Sequence, residues 1–156
     1  MAGKIDAKLK ELGIELQEPA APVANYVGYV ITGNLVFVSG QVTLDGGQLK
    51  YQGKVGADIS LEDAQKAARL CAVNIVAQLK AACGGDLDRV KRIVRLGGFV
   101  NSTPDYTQQP EVVNGASDLM VEVFGEAGKH CRAAVSAGAL PRNVAVEVDC
   151  IAEIAN

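Results

Sequence analysis

The spacing of apolar and polar positions along the chain predicts an alternation of strands and helices. Between Leu61 and Ala82 the apolar residues recur at helical spacing, which indicates an amphipathic helix. Ser60 precedes this stretch and Asp63 stands at its third position, a pattern typical of a helix N-terminus. Weaker stretches with the same period predict helices over about 4–13 and 110–125.

Shorter runs, with apolar side chains at alternate positions or in continuous stretches, predict strands. They lie at about 26–32, 34–39, 49–52, 90–101, 132–137 and 144–151. A tight turn at Thr32-Gly33-Asn34 makes the first two strands a hairpin. The loop 138–143 contains Gly, Pro and Asn, so we interpret the last two strands as a second hairpin. This order of elements is typical of one α+β domain, covering residues 1–156.

The strand over 90–101 carries apolar residues on both of its faces, among them Ile93, Leu96 and Phe99. Two main helices can cover only one face of a sheet. We therefore expect a second copy of the chain to cover the other face, which would make the protein a homo-oligomer.

Two charged residues interrupt the C-terminal hairpin, whose other residues are mostly Ala, Val, Ser and Cys. Antiparallel pairing centred on its loop places Arg132 opposite Asp149 and diagonal to Glu147, on one face of the sheet. One interpretation is a structural ion pair of the kind that contributes little to stability. The other is a pocket in which Arg132 binds a carboxylate and Glu147 positions or deprotonates a water molecule. The hairpin alone leaves both interpretations open.

Composition disfavours several classes of protein. The 156 residues carry a net charge of −3, and the basic residues are scattered, which argues against nucleic acid as a partner. No stretch approaches the roughly 20 apolar residues of a membrane span, and the charged amphipathic start differs from a signal peptide, so we expect a soluble, cytoplasmic protein. Four cysteines without a CxxC spacing and a single histidine form no pattern of metal ligands. We expect buried free thiols and no metal.

The chain also contains a specific combination of short motifs. They are the segment 24–28, Ser39-Gly40-Gln41 after an apolar strand, Asn114, and Arg132 followed nine residues on by Pro141 and fifteen residues on by Glu147. This combination resembles the reactive-intermediate deaminase family (RidA/YjgF), which also carries the older labels endoribonuclease L-PSP and translation initiation inhibitor. The resemblance extends from about residue 20 to residue 154.

The resemblance implies a chorismate-mutase-like fold, a mixed sheet backed by two helices, here with an added N-terminal helix. It implies a homotrimer with sites in the clefts between subunits. The implied activity is hydrolysis of small 2-imino or 2-enamino acids to 2-keto acids and ammonia, without a metal or an organic cofactor.

The resemblance also assigns roles to residues. Arg132 would bind the substrate carboxylate, and Glu147 would hold and activate the attacking water. The other implied ligand contacts are Tyr26, Ser39, Gly40 and Asn114.

The chain departs from the family pattern beside the arginine. His130 and Cys131 stand where the family usually has Pro and Ala, so the only histidine is a candidate pocket residue that would change substrate range or pH response. The alternative interpretation of His130 is a structural role. The loop 102–113 is longer than in compact members, which affects the size of the pocket.

Two other functions remain open. The same residues would serve a protein that binds or senses a carboxylate metabolite without turnover. RNA cleavage is suggested by the older family label, but the chain has no pair of histidines and no basic groove to support it.

Overall fold

The computed structural model describes residues 3–19 and 21–156. Its helices are α1 (Lys4–Glu11), α2 (Leu61–Ala82) and α3 (Gln109–Phe124). Its strands are β1 (Tyr29–Thr32), β2 (Leu35–Gln41), β3 (Leu44–Asp45), β4 (Gln48–Leu49), β5 (Val90–Asn101), β6 (Cys131–Ala137) and β7 (Val146–Ile154). The predicted order of helices and strands is confirmed. The first strand is shorter than predicted, and a small β3–β4 ribbon takes the place of a single third strand.

The main sheet has five strands in the order β1-β2-β7-β5-β6, and β3 pairs only with β4. Strands β5 and β6 are parallel, and every other pair in the main sheet is antiparallel. Helix α2 packs over β2 and β7, and α3 packs beside it over β5 and β6. This confirms the expected α+β architecture, a mixed sheet backed by two helices with an added N-terminal helix.

Helix α2 begins and ends where its sequence predicts. The Ser60 hydroxyl accepts a hydrogen bond of 3.2 Å from the amide of Asp63, which satisfies a backbone donor that has no partner within the helix. The helix ends at Cys83, and Gly84 follows with a φ of 65°, a conformation that glycine adopts without strain. The apolar stripe of α2, centred on Cys71, Ile75 and Leu79, is fully buried against the sheet.

The prediction of a C-terminal hairpin is wrong. Strand β6 pairs with β5, where Arg132 lies opposite Leu96, and β7 pairs with the other side of β5. The chain after β6 passes the end of β5, where the amide of Asn101 donates to the carbonyl of Ala145 (2.8 Å), and then returns antiparallel. The long strand β5 thus separates the two strands that are neighbours in sequence.

The placement of Arg132 and Glu147 on one face is also wrong. Arg132 shares the helix-covered face with Leu96, whereas Glu147 lies opposite Phe99 on the uncovered face. Asp149 pairs with Arg95 of β5 instead of Arg132, with 3.5 Å between carboxylate and guanidinium. The two candidate catalytic residues therefore belong to different surroundings within one chain.

The uncovered face of the sheet exposes large apolar side chains. Val30, Phe37 and Val135 are 53%, 41% and 46% exposed. The helix-covered face, by contrast, buries Ile93 and Leu96 completely. The expectation of apolar residues on both faces is thus met.

Two further observations concern the expectations from composition. Cys71, Cys83 and Cys150 are buried, but Cys131 is exposed, so the prediction of buried thiols is wrong for that residue. Within residues 3–19 and 21–156, none of the helices has the length and hydropathy needed to cross a membrane.

Candidate functional site

Arg132 extends from the edge strand β6 to the start of helix α3. Its Nη1 donates to the side-chain oxygen of Asn114 at 2.8 Å and to the hydroxyl of Ser117 at 3.1 Å. Its Nη2 donates to the carbonyl of Pro110 at 3.2 Å. Asn114, predicted as a pocket residue, thus lies directly beside the predicted carboxylate-binding residue.

These three bonds leave part of the guanidinium open. A guanidinium has five N–H groups. Both protons of Nη1 and one proton of Nη2 are used, and the described residues offer no partner to the Nε proton or to the second Nη2 proton. The two open donors match the two oxygens of a carboxylate.

His130 stabilises this arrangement through a hydrogen bond with Ser117. Its Nδ1 lies 2.6 Å from the carbonyl of Gly128, and its Nε2 lies 2.8 Å from the Ser117 hydroxyl. A carbonyl only accepts, so Nδ1 carries the proton in the neutral ring and Nε2 accepts from Ser117. The Ser117 oxygen in turn accepts from Arg132. The histidine thus reaches Arg132 through a chain of hydrogen bonds.

Glu147 lies on the other face of the sheet, beside the end of β2. Burial, and secondarily the negative charge of Asp149, raise the pKa of its carboxyl above the ordinary value. Gly40 approaches so closely that a Cβ at that position would lie 2.8 Å from Oε2 of Glu147. The register of β2 on β7 is irregular between Val38 and Gln41, and this irregularity brings Gly40 over the carboxylate.

Ser39 connects Gly40 to the segment that contains Tyr26. The Ser39 hydroxyl donates to the carbonyl of Val27 at 2.6 Å, and its amide donates to the carbonyl of Gly28 at 2.9 Å. Tyr26 itself lies before β1 and is 58% exposed. Tyr26, Ser39 and Gly40 line the same cavity.

The candidate residues therefore form two groups. We call Arg132, Asn114, Ser117 and His130 the arginine cluster, and Glu147, Gly40, Ser39 and Tyr26 the glutamate cluster. In one chain β5 lies between β6, which carries Arg132, and β7, which carries Glu147, and these two side chains face opposite sides of the sheet. The arginine cluster contains the residue predicted to bind a carboxylate, and the glutamate cluster contains the residue predicted to activate water.

Sequence reasoning missed Ser117 and the carbonyl of Pro110. Ser117 lies one turn after Asn114 on α3, so it shares a helix face with Asn114, and this spacing was the only signal available. Pro110 lies in the first turn of α3, so the start of this helix, which follows the longer loop, helps to hold Arg132.

The described part of the chain contains no group of three or more His, Cys, Asp or Glu side chains arranged to hold a metal ion.

Comparisons with known proteins agree with this architecture. A family model described as "YjgF/chorismate_mutase-like, putative endoribonuclease" matches residues 6–154. Protein TCP17 of Trypanosoma cruzi is 48% identical over 156 residues, covering 99% of this chain and 97% of that protein. The crystal structure of the protein Atu1372, of unknown function, from Agrobacterium tumefaciens has a TM-score of 0.92 at 49% identity, covering 97% of this chain and 92% of that one.

A more distant solved structure carries the name that the motifs suggested. RidA from the Antarctic bacterium Psychrobacter sp. PAMC 21119 has a TM-score of 0.60 at 28% identity, covering 88% of this chain and 94% of that one. Because the family model spans nearly the whole chain, this protein belongs to the YjgF/chorismate-mutase-like family. The resemblance drawn from the motifs is confirmed.

Proposed function

We propose that this protein hydrolyses small 2-imino and 2-enamino acids to 2-keto acids and ammonia. The observation that carries the proposal is the guanidinium of Arg132, held by three acceptors with two donors left open. Membership of the YjgF family and the likeness to a structure named RidA support the same role.

Arg132 binds the carboxylate of the substrate. The bonds to Asn114, Ser117 and Pro110 fix the plane of the guanidinium before the ligand arrives, so little side-chain freedom is lost on binding. A bidentate contact then sets the orientation of the neighbouring C2 atom.

Glu147 accepts and returns protons during the hydrolysis. As a carboxylate it accepts a proton from water while the water oxygen bonds to C2, and the imine nitrogen takes up a proton to give a carbinolamine. The C–N bond then breaks as the hydroxyl proton passes through Glu147 to the amino nitrogen, so ammonia leaves and the carbonyl of the 2-keto acid forms. An enamine first takes a proton at C3 to become the imine. A raised pKa suits a group that both accepts and returns protons near neutral pH.

The two clusters act together when they belong to different protomers. In this proposal, Arg132 of one protomer faces the partner subunit's Glu147, in a cleft between the chains. The exposed apolar side chains Val30, Phe37 and Val135 provide a surface for such an association. We propose a homotrimer, the assembly that the family resemblance implies, in which each protomer contributes one of each cluster.

The activity is tested by release of ammonia and keto acid from freshly generated 2-aminoacrylate, measured against its spontaneous hydrolysis. We expect release by the native protein, none above background by Arg132→Ala, and full release by Arg92→Ala. Arg92 is a matched control, since it is exposed on β5 and belongs to neither cluster. Binding of a 2-keto acid with no release of ammonia by the native protein would contradict the proposal and favour a metabolite-binding role.

A further inference from the structure

A cavity of about 160 Å³ begins at the glutamate cluster and extends between helix α2, the end of β2 and the segment before β1. Tyr26, Ser39 and Gly40 form one part of its wall, and Gln78 of α2 forms another. At roughly 30 Å³ for each water-sized group, it has room for about five such groups. This is the size of an amino-acid side chain, not of a whole metabolite.

Gln78 is an unusual residue for its position. It is 4% exposed and lies in the apolar stripe of α2, one turn after Ile75. Its side chain lines the cavity, and its carboxamide makes no hydrogen bond to any residue that the structure describes. The fully buried side-chain atoms without a partner, among the described residues, are instead Asn101 Oδ1 and Tyr106 Oη. A Cβ at Gly28 would lie 2.5 Å from Oε1 of Gln78, so the missing side chain of Gly28 leaves room for this amide.

Three other polar side chains of the cavity already have partners. Asn74 donates to the carbonyls of Val42 and Leu44. Gln41 donates to the carbonyl of Ser39, and Ser39 donates to Val27. Among the described lining residues, Gln78, Tyr26 and Glu18 therefore keep side-chain hydrogen-bonding capacity for a ligand, and Gln78 is the buried one of the three.

The charge of the cavity restricts the ligand further. Among the described lining residues, Glu18 is the one with a charged side chain, and none is Lys, Arg or His. A second carboxylate placed here would lose its hydration without gaining a cation. An apolar group would leave the Gln78 amide unpaired, whereas an amide pairs with it through both N–H and C=O.

We propose that this cavity receives the side chain of the substrate, and that Gln78 selects an uncharged, hydrogen-bonding side chain such as an amide. The inference rests on the proposed function, because it assumes that the carboxylate lies on Arg132 and the reacting carbon near Glu147. It adds the class of substrate: 2-imino acids with a neutral polar side chain, in preference to acidic or branched apolar ones.

The test is binding of three stable 2-keto acids whose side chains have the same shape: 2-oxosuccinamate, oxaloacetate and 4-methyl-2-oxopentanoate. Calorimetry on the native protein should give a dissociation constant for the amide that is about tenfold or more below the other two. In Gln78→Met, which keeps the length of the side chain, the preference should pass to 4-methyl-2-oxopentanoate. Gly28→Ala should weaken the amide preference by displacing the carboxamide, with no effect on the apolar acid.

Thermal unfolding controls for folding, and Gln78→Met is expected to fold like the native protein because methionine keeps the length of the side chain and suits the apolar stripe of α2. An amide preference that survives in Gln78→Met would overturn the inference, as would a native protein that binds the three acids equally. Hydrolysis of imines by a protein without this selectivity would overturn the inference alone. Absence of both hydrolysis and binding would overturn the proposed function together with it.

Discussion

The two clusters of the candidate site are organised in different physical ways. In the arginine cluster, the guanidinium is fixed by the hydrogen bonds that it donates to Asn114, Ser117 and Pro110, and a hydrogen bond with His130 fixes Ser117. In the glutamate cluster, burial, and secondarily the charge of Asp149, raise the pKa of the Glu147 carboxyl, against which Gly40 lies. The first arrangement orients a charge, and the second changes proton affinity. A hydrolase that binds a carboxylate and activates water needs both an oriented cation and a group that accepts a proton.

Removing the base should have the largest effect. We expect Glu147→Gln to lower kcat by about 10²–10⁴-fold, the usual contribution of general acid–base catalysis, with a smaller change in KM. Steady-state kinetics of ammonia release measures this change. A variant with native kcat would show that Glu147 is not the base.

The stability of the same variant provides a control. Because the folded-state pKa of Glu147 lies above its unfolded value, the unfolded chain releases this proton first, and stability falls as pH rises between the two values. Glutamine does not ionise, so Glu147→Gln should be as stable as the native protein, or more so, at neutral pH in thermal unfolding. A loss of activity then reflects chemistry and not unfolding.

Changing the shape of the cation should have the next largest effect. Lysine keeps the charge but cannot bond to three acceptors and still offer a planar pair of donors. We expect Arg132→Lys to lower kcat/KM about 100-fold, since the substrate loses its orientation. Retained activity would show that charge alone suffices and that the hydrogen bonds of the arginine cluster are incidental.

The pH profile distinguishes the clusters further. Glu147 must be ionised to act as a base, so kcat/KM should rise about tenfold per pH unit below its raised pKa and then level off. Initial rates across a pH series test this. Glu147→Gln is the control, since the rise of kcat/KM with pH should be absent from its residual activity. A rise that remains in Glu147→Gln would assign the limb to another group.

The smallest effect is expected from Ser117→Ala, which breaks the link between His130 and Arg132 but leaves the bonds to Asn114 and Pro110. We predict an increase in KM of about tenfold, which corresponds to the loss of one charge-assisted hydrogen bond, with little change in kcat. Asp118→Ala, on the exposed surface next to it, is the matched control and should leave KM unchanged. Equal effects of the two substitutions would contradict a positioning role for Ser117.

The sequence predicted those parts of the fold that local patterns determine. Helix α2 follows from its period and from Ser60, and β5 follows from a long run that is apolar on both faces. The C-terminal pairing was wrong because β5, distant in sequence, lies between β6 and β7, and no local pattern of the last two strands records this. A hairpin predicted from proximity in sequence is wrong where a strand from elsewhere in the chain lies between its two strands, as β5 does here.

The candidate site was predictable only in part for the same reason. Motif spacing named Arg132, Glu147, Ser39 and Asn114 individually, but their division between two faces depends on the strand order. Gln78 was missed because a glutamine in an apolar helical stripe becomes informative only when its surroundings are known.

The most direct test of the account is complementation between two inactive variants. Arg132→Ala and Glu147→Gln are each expected to lack activity, and a mixed oligomer assembled from equal amounts of both contains some clefts with an intact arginine and an intact glutamate. If the two residues come from different protomers, random mixing should restore about a quarter of the native activity. Mixed oligomers that stay inactive would show that both residues act within one chain, and would contradict a site shared between protomers.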